Sequence, residues 1–249
     1  MLRFPIFSQE DKRARKEILD AVQTLAFARA WKLFASWLRT EGWRYSPWQL
    51  YEKLADRTFD RIHGVDTRMF AELSEMQIGS PNKRFGQRYQ ASPVFSLRRL
   101  LRRLDIDYPD FAFVDFGSGK GRTLLLAGEL PFKRVIGVEF SADLNECAVR
   151  NISLRRRGQA ESVAALHCDA TEFELPPENL VLYFFNPFKA EVLDKVLSRL
   201  AASLEAMPRK VIIVYLYLED RQLLDNLQGF QLREAWHRYR IYTFTPATD

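Results

Sequence analysis

The run Val114-Asp115-Phe116-Gly117-Ser118-Gly119-Lys120-Gly121-Arg122 sets three glycines at alternate positions behind an acidic residue. Backbone without Cβ atoms can approach a ligand closely. Phe111 to Phe116 reads as a buried strand and Thr123-Leu124-Leu125-Leu126-Ala127 as the first turns of a helix, so the glycines fall at a strand-to-helix junction. Free N–H groups and a partial positive charge at the start of that helix suit a carboxylate or phosphate. A P-loop needs Gly-x-x-x-x-Gly-Lys followed by Ser or Thr. Here Gly119-Lys120 is followed by Gly121, and Val114 stands where the first glycine belongs. The dinucleotide fingerprint Gly-x-Gly-x-x-Gly needs a small third residue for close helix–strand packing. Counted from Gly117 and Gly119, that place holds Arg122, which leaves NAD or FAD as a weaker reading.

Asp-x-Gly-x-Gly-x-Gly after a strand resembles the first motif of class I S-adenosylmethionine-dependent methyltransferases, and later segments resemble the family's other motifs in order. Val135-Ile136-Gly137-Val138-Glu139 looks like strand two, ending in a carboxylate about twenty residues beyond the loop, the separation at which an acidic residue reaches ribose hydroxyls. His167-Cys168-Asp169-Ala170-Thr171 follows the apolar run Val163 to Leu166. The resemblance implies that Asp169 faces the adenine amino group and that backbone beside it, at Ala170, holds the ring. The fourth segment, Leu180 to Phe188, reads as a central strand stopped by Asn186-Pro187. It resembles the Asn-Pro-Pro-Tyr/Phe motif of amino-group methyltransferases but lacks the second proline. That likeness implies Asn186, Pro187 and Phe188 as the catalytic set. The expected cofactor-binding residues are Tyr89, Asp115, Gly117, Ser118, Gly119, Lys120, Gly121, Arg122, Glu139, Asp169, Ala170 and Asn186. Tyr89 enters because Tyr-x-x-Ser/Thr-Pro also precedes the first motif in bacterial members, where that loop lies against the cofactor.

The elements that must position these residues form an α/β doubly wound, Rossmann-like seven-stranded sheet. Ala190 to Leu204 has helical periodicity and Lys210 to Leu218 gives a fifth strand. Glu219 to Leu227 can form a short helix. The runs Phe230 to Trp236 and Arg238 to Thr245 lie too close for a crossover helix, so they pair as an antiparallel hairpin. Ahead of the sheet, Ser92 can cap a helix with Pro93 in its first position, and Val94, Leu97, Leu101 and Leu104 share one face opposite four arginines. That basic face reads as solvated rather than as a nucleic-acid contact.

With 249 residues the chain holds one full-sized α/β domain, residues 85–249, preceded by an N-terminal helical cap or lid over residues 1–84. The net charge of +5 names no substrate. Cys147 and Cys168 form no disulfide framework, which fits a cytoplasmic protein, and His63, His167 and His237 show no metal-ligand spacing, so no metal is expected. No cleavable signal and no membrane span is expected. The aromatic stretch Ile18 to Leu38 reads as a buried or interface helix, open to a dimer or peripheral membrane contact. Gly64 permits a turn and Asp66 or Thr67 a helix cap; a substrate-facing role for His63, Asp66 and Thr67 is the alternative.

These features imply methyl transfer from S-adenosylmethionine to an acceptor the sequence does not identify. Nitrogen is favoured, as a protein lysine or small-molecule amine, because no residue stands out as the general base an oxygen acceptor would want. A protein or small molecule is favoured over nucleic acid as partner. The alternatives are a non-catalytic cofactor-sensing or scaffolding module, and an NAD-dependent oxidoreductase.

Overall fold

The computed structural model describes residues 47–68, 79–87, 89–154, 158–218, 221–236 and 239–246. The expectation placed on residues 18–38 lies outside them. Seven strands form one sheet: β1 (Phe111–Phe116), β2 (Arg134–Glu139), β3 (Ser162–His167), β4 (Asn179–Phe185), β5 (Val211–Leu216), β6 (Gln231–Ala235) and β7 (Tyr239–Phe244). Their order is β3-β2-β1-β4-β5-β7-β6. The first five are parallel, and β7 enters antiparallel between β5 and β6. This is the Rossmann-like seven-stranded sheet with a terminal antiparallel hairpin that the sequence predicts.

Strand β1 is buried along its whole length because helices cover both faces of the sheet. Alternation sorts its side chains into two cores. Phe111 and Phe113 join Val181, Tyr183, Ile212 and Val214 under α2 (Val94–Arg102) and α3 (Arg122–Ala127). Ala112, Val114 and Phe116 join Leu180, Leu182, Phe184 and Tyr215 under α5 (Ala190–Ala206). In the second core Phe116, Phe184 and Tyr215 stack across three adjacent strands, with ring centroids 4.9 and 5.2 Å apart and planes within 10°. The aromatic layer fixes the carboxyl ends of β1, β4 and β5 relative to one another. Helix α4 (Ala142–Leu154) follows β2. Successive connections wind to opposite faces between β1 and β4, and in such sheets ligands bind in the crevice at that switch, outside the carboxyl ends of the strands.

Two local expectations are corrected. Helix α2 begins at Val94 with Pro93 as its N-cap, one residue later than predicted, and Ser92 does not cap it. The Ser92 hydroxyl instead meets Tyr183 Oη at 2.9 Å and Thr123 Oγ1 at 3.1 Å. The orphan N–H of Val94 is taken by Asp56 Oδ1 at 3.0 Å, from helix α1 (Pro47–His63). The helix predicted for Glu219 to Leu227 shrinks to α6, Gln222–Asp225. Leu224 is the buried residue in it, so one turn suffices to cover that edge of the core.

Among the described residues no helix is long and apolar enough to cross a membrane, and no group of three or more His, Cys, Asp or Glu side chains could hold a metal. Both cysteines are free.

Candidate functional site

The glycine loop follows β1 and is tied to the end of β2. The N–H groups of Gly117 and Ser118 both donate to the Val138 carbonyl, at 2.9 and 3.2 Å, and Gly121 N–H closes onto the Ser118 carbonyl at 2.9 Å. Gly119 has φ of 53°, in the left-handed region that favours glycine. A Cβ there would overlap Cε2 and Cδ2 of the Tyr89 ring. Gly117, with φ of 80°, is needed for a second reason, since its Cβ would lie 2.5 Å from Pro187 Cβ. The first and fourth sequence motifs therefore touch.

Tyr89, Asp115, Gly117, Ser118, Arg122, Glu139, Asn186 and Pro187 all border one cleft at the carboxyl ends of β1, β2 and β4. Glu139, 3% exposed, accepts Gly119 N–H at 2.8 Å through Oε2 and Ser141 N–H at 2.9 Å through Oε1. Burial raises its carboxyl pKa, although the N–H groups of Ser141, Gly119 and Phe140 pull the other way. Asp115 is 2% exposed. Burial pushes its carboxyl up to about 8, with the Thr123 hydroxyl opposing and the nearby Glu139 charge adding to the rise. Among the described residues neither carboxyl has a Lys or Arg within ion-pair distance.

The two basic residues of the loop point elsewhere. Lys120 Nζ pairs with Asp66 Oδ2 at 2.8 Å. Arg122, 3% exposed, gives its Nε to Thr67 Oγ1 at 2.7 Å and an amino group to Asp56 at 3.2 Å. Asp66 and Thr67 thus back the glycine loop from outside the cleft, and His63 packs its ring on Phe59 at 4.4 Å. Ser118 Oγ is buried and makes no hydrogen bond among the described residues. Tyr89 is buried, and burial drives its phenol pKa upward against the nearby Arg122 charge.

Asp169 lies apart from this group. Its Oδ2 accepts from the Ser80 hydroxyl and from Asn82 Nδ2 at 2.9 Å. Its Oδ1 accepts from Thr171 N–H at 2.9 Å and Thr171 Oγ1 at 2.7 Å. Partial burial pushes this carboxyl up, but those donors outweigh it and hold it below the ordinary value. Four donors fill the roughly four lone-pair sites of a carboxylate. Ala170 follows at the start of the same turn and is half-buried.

Past β4, Asn186 adopts φ of 41°, unusual for a residue with a side chain. The Pro187 carbonyl accepts Gln87 N–H at 3.1 Å, Lys189 N–H donates to the Phe85 carbonyl at 2.9 Å, and Gly86 forms a bridge with Phe188. Phe188 is buried edge-on against Phe184, centroids 6.1 Å apart. The ring that faces the cleft is instead Phe185, beside Gln87 and Gln90. Sequence reasoning passed over the two glutamines because neither has a motif of its own. Their closeness to Tyr89 along the chain was the available signal.

No family model and no curated protein matches this chain. Its similar solved structures include the ribosomal protein L11 methylase of Lactobacillus delbrueckii subsp. bulgaricus, at 18% identity and a TM-score of 0.46 over 64% of this chain and 81% of that one. An RNA methyltransferase from Salinibacter ruber, solved with S-adenosyl-L-homocysteine, gives 22% identity and 0.43 over 62% and 92%. The magnesium protoporphyrin IX methyltransferase of Synechocystis PCC 6803, with bound SAM, gives 16% and 0.43 over 60% and 76%. All three of these proteins are methylases or methyltransferases by name.

Proposed function

We propose that this chain is an S-adenosylmethionine-dependent methyltransferase whose acceptor atom is nitrogen. The observation that carries the reading is the pair of buried carboxyls, Asp115 and Glu139, on one cleft, with no Lys or Arg among the described residues within ion-pair distance of either. A pyrophosphate would meet repulsion there, whereas a ligand bearing an ammonium and a sulfonium would supply the missing positive charge. The orphan Ser118 hydroxyl needs a polar partner, and Glu139, with three backbone N–H groups on roughly four lone-pair sites, keeps one for a ribose hydroxyl. With Asp169 saturated by Ser80, Asn82 and Thr171, the adenine contact passes to backbone at Ala170, and Asp169 anchors the turn above it. Lys120, whose ammonium is held by Asp66, contributes through its backbone.

Bound in this cleft, S-adenosylmethionine supplies a methyl group on a sulfonium, already electrophilic. The chain's own task is alignment, which can lower a two-substrate barrier by about 7–11 kcal/mol in favourable cases. Asn186 holds the acceptor amine by accepting its N–H, with the second lone pair of the Pro187 carbonyl available beside it. Phe185 supplies an apolar wall that keeps an amine neutral by desolvation. Phe188 supports that wall from below by fixing the strand end through Phe184.

Calorimetric titration with S-adenosylmethionine, S-adenosylhomocysteine and NAD tests the assignment: micromolar binding of the first two and none of NAD is expected, and binding of NAD alone overturns it. Glu139→Ala weakens S-adenosylhomocysteine by about 1.5–3 kcal/mol, as for a lost hydrogen bond to a charged group; unchanged affinity removes Glu139 from the ligand. Once a labelled-methyl screen has found an acceptor, Asn186→Ala lowers kcat by about a hundredfold with cofactor affinity nearly intact. Equal losses in both would end its role as an orienting group.

A further inference from the structure

Thr67 is fully buried, and each of its polar groups is spent on a different part of the site. Its N–H donates to Asp60 Oδ2 at 2.9 Å and its hydroxyl to Asp60 Oδ1 at 2.5 Å, while the same hydroxyl oxygen accepts Arg122 Nε at 2.7 Å. Its carbonyl accepts the Tyr89 hydroxyl at 2.7 Å. Arg122 is held further by Asp56 at 3.2 Å and Asp60 at 3.7 Å, with its guanidinium 5.4 Å from the Phe59 ring centroid. The adjacent Asp66 holds Lys120, and Asn151 Nδ2 bridges the Asp66 and Lys120 carbonyls at 2.8 Å each.

The glycine loop is therefore gripped at three successive points. Residues 120 and 122 are held from outside by the 66–67 pair, and Gly119 is covered by the Tyr89 ring, whose hydroxyl returns to Thr67. Burying this many charges brings no stability that apolar packing of equal volume would not match. Apart from Arg122 Nη2, which is buried and makes no hydrogen bond among the described residues, this network is satisfied, and it provides one register, since any slip strands a further buried charge. Precise loop geometry is what a preorganised ligand site requires.

We propose that Thr67 is a positioning residue of the cofactor site. Clamped between Asp60 and Arg122, it sets the Tyr89 ring over Gly119 and thereby fixes the loop that receives the cofactor. The inference rests on the cofactor reading above. It makes Asp56, Asp60 and Thr67, ahead of the sheet, part of the machinery for ligand binding.

The test titrates S-adenosylhomocysteine into the full chain and into Tyr89→Phe, Thr67→Ser, Thr67→Val and the double variant Thr67→Val/Tyr89→Phe, with thermal unfolding of each ligand-free protein. Tyr89→Phe and Thr67→Val each raise Kd about tenfold, the scale of one lost hydrogen bond. Thr67→Ser, which keeps the hydroxyl, stays within about twofold. The double variant is no worse than the weaker single one, because both act through one chain of contacts. Full affinity in Tyr89→Phe overturns the proposal, as do strictly additive losses or lowered unfolding midpoints with unchanged Kd. Should Thr67→Val fail to fold, Tyr89→Phe decides by the same criterion. Silence of the unaltered protein toward S-adenosylhomocysteine is a different failure, that of the cofactor reading itself.

Discussion

Gly119→Ala raises the dissociation constant for S-adenosylhomocysteine by at least about a hundredfold, equivalent to about 2.7 kcal/mol, while the circular dichroism stays that of the folded protein. Two costs combine. At φ of 53° a side chain pays about 1–2 kcal/mol for the left-handed backbone. The added Cβ also overlaps the Tyr89 ring, which cannot retreat freely because its hydroxyl is held by the Thr67 carbonyl. Either response, a displaced ring or a displaced loop, moves Gly119 N–H away from Glu139 Oε2. Gly64→Ala is the control. Its φ of 68° carries the same handedness penalty, but nothing lies within 4 Å of the new Cβ, so stability falls and affinity does not. Unaltered affinity in Gly119→Ala would take the loop out of the ligand site.

The glycine loop and the sheet around it were legible because their causes are local. Apolar run, acidic residue, alternate glycines and helical periodicity lie within a few residues of one another, and each is read by its own rule. The antiparallel last pair followed from a short connection between two strand-like runs. What resisted reading was every partnership made across the fold. Ser92 has the right type and place for a helix cap, yet Asp56 took the role because α1 lies close enough to reach Val94 N–H. Arg122 breaks the dinucleotide pattern, and its spacing gives no hint that Asp56, Asp60 and Thr67 are its partners. Asp169 has the right type at the right strand end, but Ser80 and Asn82 arrive from far back in the chain to take its oxygens. In the same way the aromatic of the fourth motif, Phe188, sits in the core, and Phe185, three residues before it, borders the cleft.

Cofactor binding at pH 7 is expected to release close to one proton from Asp115, and affinity to climb with pH until about 8. Ligand-free Asp115 has its carboxyl pushed up to about 8 by burial and by Glu139, against an unfolded value of about 4. Glu139 faces it from β2, Thr123 from α3 and Tyr183 from β4, and no cation among them offsets the burial. Across the window from about pH 4 to about pH 8 the folded chain therefore holds a proton that the unfolded chain has lost. Stability conferred by the neutral form is fully present at the acid end and declines as pH rises. Glu139, also raised, acts with the same sign, whereas Asp169, held low, loses its contribution as pH falls through its range. A ligand that brings positive charge beside Asp115 reverses the preference of that carboxyl, so binding expels the proton. Linkage then requires affinity to rise by up to about one decade per pH unit below pH 8 and to level above it. Calorimetry in two buffers of different ionisation enthalpy reads the proton count directly. Asp115→Asn should bind more weakly, release nothing and show a flat pH profile. Uptake of protons, or equal heats in both buffers for the unaltered chain, would mean that the ligand's charge lies elsewhere and that the buried pair serves the fold alone.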